Sequence, residues 1–419
     1  MSNMLTDMPL RRSVSSIPAE SQACPVDLQR ISDPHALTSR TPGRRRASFI
    51  LSPRISNDGG STECHHKCAV LRTLDVGSHS DPGNRYAGQN QDFLVVTEMY
   101  NAGEIPRDGE QTYILAVCDG HGLLGDKSAC YAGKALARNL LTSSLRNKHI
   151  GRMAPQDVME AVKAAFAKAS QAANAVYSLP PKTVDYLASP GSRCLVQYTL
   201  QDSQASVKHY RTAKGHEKLL ECGTTATTVV LQGGVLCLAN VGDSLAVLGV
   251  DQGPGQGLSG HFITCRHFGL NPEEAERIRQ QHATTTEVLE DGYVRVVEGQ
   301  WAGYELAVTR ALGHLHMAQY GIIDTPFVTL LRLTHVNPCL ILASDGVWDM
   351  VGADEAVAHV MASLAQGLSA GEAAKALVQL AVSRGLASPD GRQDNTSAIV
   401  VSLVDRLPIP EEAGEAEAV

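Results

Sequence analysis

Six aspartates stand where apolar runs meet tight turns. Three runs end in an acid: Ile-Leu-Ala-Val-Cys-Asp119-Gly-His-Gly, Leu-Ala-Asn-Val-Gly-Asp243-Ser, and Leu-Ile-Leu-Ala-Ser-Asp345-Gly-Val-Trp-Asp349, where Asp349 adds a second carboxylate. Two others begin just after one, in Asn90-Gln91-Asp92-Phe-Leu-Val-Val and Gln393-Asp394-Asn-Thr-Ser-Ala-Ile-Val-Val. A single Asp-Gly is ordinarily a turn. In antiparallel neighbours, however, the end of one strand lies beside the start of the next, so Asp92, Asp119, Asp243, Asp345 and Asp394 can meet at one sheet edge. Such a cluster repels itself unless cations neutralise it. All-oxygen ligands suit hard divalent ions, magnesium or manganese, and the central region has no His-x-x-x-His or Cys-x-x-Cys pair of the kind zinc uses.

The elements that must position these acids follow from periodicity. Short β-type runs cover Phe93 to Thr97, Tyr113 to Cys118, Thr227 to Leu231, Val235 to Val241, Leu245 to Val250, Cys339 to Ala343 and Ala398 to Val404. Ala-rich stretches with helical spacing cover about 126–146, 155–178, 272–281, 353–366 and 370–384. Connections as short as Gln232-Gly233-Gly234 imply hairpins and not repeated βαβ units, so an α+β layered domain is expected. Residues 180–222, with Pro180-Pro181 and Pro190-Gly191, read as an irregular insertion.

The 419 residues are 43% hydrophobic and 19% charged, enough to bury a large core. A formal charge of -8 argues against nucleic acid as a main partner. Residues 1–60 hold eight Arg against five acids, with ten Ser and six Pro and no sustained apolar period. A flexible basic arm over 1–68 is expected there, and a frayed acidic tail over 406–419. No run approaches the roughly 18 apolar residues of a membrane span, position 2 is Ser, and no prenylation cysteine closes the sequence. The ten cysteines sit singly in apolar surroundings, as expected of a reducing compartment. A monomer without membrane attachment, in the cytoplasm or nucleus, is the expectation.

The ordered motifs resemble the metal-dependent protein serine/threonine phosphatases of the protein phosphatase 2C family. They are Asn90-Gln91-Asp92, Val117-Cys-Asp-Gly-His-Gly122, Gly223-Thr-Thr-Ala226, Ala239-Asn-Val-Gly-Asp-Ser244, Pro272-Glu-Glu-Ala-Glu-Arg-Ile278, Leu306-Ala-Val-Thr-Arg-Ala-Leu-Gly313, Ala343-Ser-Asp-Gly-Val-Trp-Asp349 and Asp394-Asn395. The resemblance covers about residues 70–405, which makes 69–405 one expected phosphatase domain. It implies a four-layer α-β-β-α sandwich with two central antiparallel sheets. It further implies hydrolysis of phosphoserine and phosphothreonine in protein substrates by a water or hydroxide shared between two Mg or Mn ions. Asp119 would bridge the two ions, with the Gly120 carbonyl on one and Asp345 and Asp394 on the other. Asp243 and Asp349 match positions of a third, weaker ion, and Asp92 an acid reaching the centre through water. His121 matches the family's proposed general acid.

The sequence departs from the family in several places. Gln91 stands where many members have Glu, which predicts a weaker water-mediated contact. The position of the usual phosphate-gripping Arg is Ala87, leaving Arg85 as the candidate phosphate ligand. Leu245 replaces the Arg of Gly-Asp-Ser-Arg, and His314 replaces the Asp after Arg-Ala-Leu-Gly, where it is expected to perturb the third-ion region or the substrate flap over 269–303. These departures motivate an alternative, a catalytically impaired pseudophosphatase that binds partners through the same fold.

Other chemistry fits less well. Gly120-His-Gly-Leu-Leu-Gly125-Asp126-Lys127-Ser128 approaches a phosphate loop, but Asp126 breaks the spacing and puts a carboxylate where phosphate would sit. Cys24 alone has an Arg six residues later, Arg30, as a cysteine phosphatase needs, and it lies in the Ser- and Pro-rich arm outside the expected domain. Cys64-His65-His66-Lys67-Cys68 has no second pair at finger spacing and reads as a linker. Arg44-Arg45-Arg46-Ala47-Ser48 reads equally as a basophilic kinase acceptor or a solvated charge run.

Overall fold

Along the central strands, successive side chains go to two different cores. In Thr112–Gly122, Tyr113, Leu115 and Val117 face one layer while Ile114 and Cys118 face another. In Val235–Val241 the odd residues join Ile114, and Leu236 and Leu238 join Leu115. Both faces of these strands are therefore buried, which is why they read as continuous apolar runs without alternation.

The computed structural model describes residues 47–50 and 74–404, apart from 87, 100–110, 147, 180–182, 190–191, 200–208, 212–216 and 335. Most of the expected basic arm, the acidic tail, Arg44 to Arg46, Cys64 to Cys68, Ala87, Pro180-Pro181 and Pro190-Gly191 lie outside the described residues.

One sheet runs in the order Ala47–Ile50, Asp92–Met99, Thr112–Gly122, Ala226–Gln232, Val235–Val241, Phe327–Arg332, with the short strands Cys222–Thr224 and Leu312–Gly313 attached to the end of Thr112–Gly122. The second runs Leu258–Phe262, Leu245–Asp251, Cys339–Ala343, Thr396–Ser402, Val76–Asp81. All neighbours in both are antiparallel. The hairpin at Gly233-Gly234 has φ of 54° and 76°, the doubly left-handed turn that two glycines permit and that suits the sheet twist.

Between the sheets lies a core of Leu115, Val229, Leu238, Leu340, Ile399 and their neighbours. Helices Gly125–Thr142 and Pro155–Ala173 cover the outer face of the first sheet. Ala353–Ala365 and Ala370–Ala387 cover the second. Alanines on the buried stripes let helix and sheet approach closely, as at Ala129, Ala132, Ala373 and Ala374. Ser369 and Glu372 close a capping box that sets where Ala370–Ala387 begins. The result is the expected α-β-β-α sandwich.

Three expectations need correction or extension. The insertion is not wholly irregular: Thr183–Ser189, Ser192–Thr199, His209–Arg211 and Glu217–Leu219 form an antiparallel sheet. Ala47–Ile50, within the basic arm, pairs as a strand with Val96 to Met99, and Ser48 stands opposite Glu98. Cys118, Cys130, Cys222, Cys237 and Cys339 carry free thiols, but Cys265 is disulfide-bonded, contrary to a reading of every cysteine as a reduced single thiol. Among the described residues, no helix is long and apolar enough to cross a membrane.

Candidate active site

The register of the first sheet places Asp92 directly opposite Asp119, one opening its strand and the other near the end of its own. Asp243 lies in the turn between Val235–Val241 and Leu245–Asp251 and is buried. Asp345 opens the helical turn Asp345–Trp348 and is buried, and Asp349 caps it. Asp394 precedes Thr396–Ser402. Sheet pairing thus brings these acids to one end of the sandwich, as their strand-end contexts suggest.

Their electrostatics record the crowding. Burial, then the carboxylates of Asp92, Asp345, Asp394 and Asp243, push the Asp119 pKa well above the usual carboxylate range. Asp92 is pushed up to about 7, chiefly by burial and further by Asp394 and Asp345, against hydrogen bonds from Ser397 and Ser344. Ser344 Oγ donates to Asp92 Oδ2 at 2.9 Å, whereas Asp92 Oδ1 is buried with no hydrogen-bond partner among the described residues.

Short polar side chains hold the turns. The Asp119 amide donates to Thr225 Oγ1 at 3.0 Å, and its carbonyl accepts from Thr224 Oγ1 at 2.9 Å and from the Thr225 amide at 2.8 Å. Asn395 Oδ1 accepts from the Gln91 amide at 2.8 Å, while its Nδ2 donates to the carbonyls of Pro82 and Gln89 at 2.7 and 3.0 Å. Gln91 Nε2 donates to the Gly122 carbonyl at 2.9 Å, so its amide braces the turn directly. Gly120 is required: a Cβ there would lie 2.2 Å from the Gly125 carbonyl oxygen. Sequence reasoning gave no role to Thr224, Thr225, Ser344 or Asn395, although all four sit inside the quoted motifs and Ser344 and Asn395 stand beside an Asp.

Two arginines reach the cluster. Arg85 Nη1 forms an ion pair with Asp394 Oδ2. This brings the candidate phosphate ligand to the rim of the site. Arg266, buried, places Nη2 3.2 Å from Asp349 Oδ1; sequence reasoning did not single it out.

His121 follows Asp119 by two residues, with Nδ1 3.3 Å from the Asp119 carbonyl oxygen. Its Nε2 is buried without a hydrogen-bond partner among the described residues. Burial first, and the His314 ring second, push its pKa down to about 3. His314 was expected to act on the third-ion region or the flap; instead its ring stacks on His121, centroids 4.7 Å apart and planes 27° from parallel.

The flap region holds the helix Pro272–His282 and a small sheet of Thr286–Val288, Val294–Val296 and Glu305–Leu306, with its own core around Trp301, Tyr320 and Ile278. Glu274 ties it down, accepting from Thr309 Oγ1, Arg277 and Arg310. Burial would raise the Glu274 pKa, but those arginines hold it down at about 2.

The donor chemistry fits hard divalent cations: carboxylates crowded at one edge, one buried oxygen without a partner, and protonation favoured where no cation neutralises the charge. No group of three or more His, Cys, Asp or Glu among the described residues is already drawn into a metal-holding arrangement.

The sequence model of a family described as protein phosphatase 2C matches residues 185–388, a span with Asp243, His314, Asp345 and Asp349 but not Asp92, Asp119 or Asp394. A probable protein phosphatase 2C 48 of Oryza sativa subsp. japonica is 29% identical over 369 residues, 83% of this chain and 92% of the relative. A probable protein phosphatase 2C 12 of the same organism is 34% identical over 228 residues, 52% of this chain and only 56% of the relative's length. A serine-threonine phosphatase 2C from Toxoplasma gondii has a similar fold, with a TM-score of 0.57 at 21% identity, covering 78% of this chain and 94% of that one.

Proposed function

The chain belongs to the protein phosphatase 2C family, and on that premise we propose that it hydrolyses phosphoserine and phosphothreonine in proteins, using Mg or Mn ions at the aspartate cluster. The observation that carries this reading is the mutual repulsion of Asp119 with Asp92, Asp345, Asp394 and Asp243. A protein does not gather buried carboxylates for stability, since each raised pKa destabilises the folded state at neutral pH.

Asp119, the Gly120 carbonyl, Asp345 and Asp394 would hold the two ions, beside the unpartnered Asp92 oxygen. When bound, the ions neutralise phosphoryl oxygens and make an attacking water more acidic. The chain does the rest. Thr224 and Thr225 fix the Asp119 backbone, and Asn395 locks the Asp92 turn to the Asp394 turn. Arg85, at the rim on Asp394, is placed to bind a phosphoryl oxygen. His121 is uncharged while the site is empty of anions; an approaching phosphoryl dianion favours its protonated form, from which it gives a proton to the departing serine or threonine oxygen. Arg266 already supplies positive charge to Asp349, so we assign two ions and not three.

The ion pairs on Asp394 and Asp349 also motivate a second reading, a fold kept for partner binding with catalysis lost. One assay separates them. Purified protein is given a phosphothreonine peptide with manganese or with chelator; the phosphatase reading expects phosphate release with manganese only. Folded protein that releases none in manganese refutes it.

A further inference from the structure

His314 is the one non-glycine residue with positive φ among the described residues, at 50°, directly after Gly313 at 84°. A left-handed conformation costs a side-chain-bearing residue about 1 kcal/mol or more. Here it turns the imidazole inward. The strand Cys222–Thr224 pairs on one side with Gly120–Gly122 and on the other with Leu312–Gly313, so Gly223 is opposite both His121 and Gly313. The His314 amide donates to the Cys222 carbonyl at 2.8 Å, anchoring the turn. Its ring then occupies the space over Gly223, where a Cβ would come within 2.2 Å of His314 Cδ2. Only glycine leaves that room.

The ring is fully enclosed. One face stacks on His121, and Nδ1 lies 3.3 Å from the buried Glu221 Oε1 behind it. Neither ring nitrogen has a well-aligned hydrogen bond among the described residues, so the contact with His121 is one of shape and not of proton exchange. Burial pushes the His314 pKa down to about 3.

We propose that His314 is a positioning residue: packed over Gly223 and backed by Glu221, it holds the His121 ring in one orientation, with Nε2 kept available to the leaving oxygen. This rests on the phosphatase reading above. In that reaction the phosphorus–oxygen bond to threonine breaks, a bond from phosphorus to a water oxygen forms with one water proton released to solvent, and the leaving alkoxide takes a proton from His121, which solvent then restores. A positioning defect must therefore be felt in proportion to the basicity of the leaving group.

The test compares a phosphothreonine peptide, whose alkoxide needs that proton, with p-nitrophenyl phosphate, whose phenolate does not. His314→Gly deletes the ring while relieving the backbone, so its folding is protected; His314→Phe keeps a ring to stack. For His314→Gly, kcat on the peptide is expected to fall about 10- to 100-fold, within the range of general acid catalysis, at nearly unchanged KM. Turnover of p-nitrophenyl phosphate should change less than about 3-fold, and His314→Phe should recover most of the peptide rate. Equal losses on both substrates, no loss, or a Phe variant as slow as the Gly variant would overturn the positioning role alone. A wild-type protein idle on both substrates in manganese would overturn the phosphatase reading and this role with it.

Discussion

Replacing Asp92 with Asn should stabilise the metal-free protein at neutral pH. The folded-state pKa of Asp92 is raised from 3.8 to about 7, so between these values the folded state binds a proton that the unfolded state does not. Stability is therefore lost as pH rises through that window, and the loss is complete above about 7. At about 1.4 kcal/mol per pH decade the displacement is worth about 4 kcal/mol. Part of the carboxylate meets solvent, which reduces the expected effect to about 2 to 4 kcal/mol. Asn keeps an oxygen to accept from Ser344 and places no charge opposite Asp119. Urea unfolding in chelator at pH 5 and pH 7.5 provides the measurement. Wild type should weaken markedly between the two, the variant should weaken less, and the variant should be the more stable at pH 7.5. Manganese should shrink that advantage, because the ions neutralise the wild-type charge. A variant less stable than wild type at pH 7.5 in chelator, or one with the same pH dependence, would refute the reasoning.

Removing the guanidinium from Asp349 with Arg266→Gln should free a carboxylate for an additional cation, read by calorimetry as one more manganese per chain than wild type binds; unchanged stoichiometry counts against the two-ion assignment. Glu274→Gln leaves Arg277 and Arg310 without their buried partner and should cost about 3 kcal/mol or more. Hydrogen exchange should accelerate first in Pro272–His282 and the small sheet after it, and uniform acceleration across both large sheets would contradict a local tie. Gly120→Ala drives a methyl into the Gly125 carbonyl and should abolish metal-dependent activity while lowering the melting temperature; a variant matching wild type in both would show that the turn yields.

The regular elements were legible because their residues obey local rules. Val235–Val241 and Cys339–Ala343 coincide with their apolar runs, and Pro155 and the Ser369 capping box mark helix starts. Two periods were hidden. The edge strand Val76–Asp81, Val-Gly-Ser-His-Ser-Asp, has too little apolar content to announce itself and exists because Thr396–Ser402 pairs with it. The sheet within 180–222 carries a short alternation, as in Val196-Gln-Tyr-Thr199, that the flanking Pro180-Pro181 and Pro190-Gly191 obscured. At the site, the aspartates were legible from their strand ends, but Ser344 and Asn395 act through contacts to residues 252 and 304 positions away. His314 was visible as a departure, but its stacking on His121 was not, since that depends on a third segment, Gly223, that aligns both.

The pairing of Val76–Asp81 with Thr396–Ser402 also has a consequence in time. Val76 meets Val401, and the Asp92 turn is bolted to Asn395, so the earliest and latest parts of the domain complete one another. During synthesis Asp92 and Asp119 emerge first and wait for more than half of the chain before Asp345 and Asp394 can join them. A ribosome that stops just before Asp394 releases a product with an unclosed sheet edge and one of the six carboxylates missing. Such an unfinished chain leaves a strand edge unpaired and open to proteases, so the aspartate cluster is complete only when translation of the domain is nearly done.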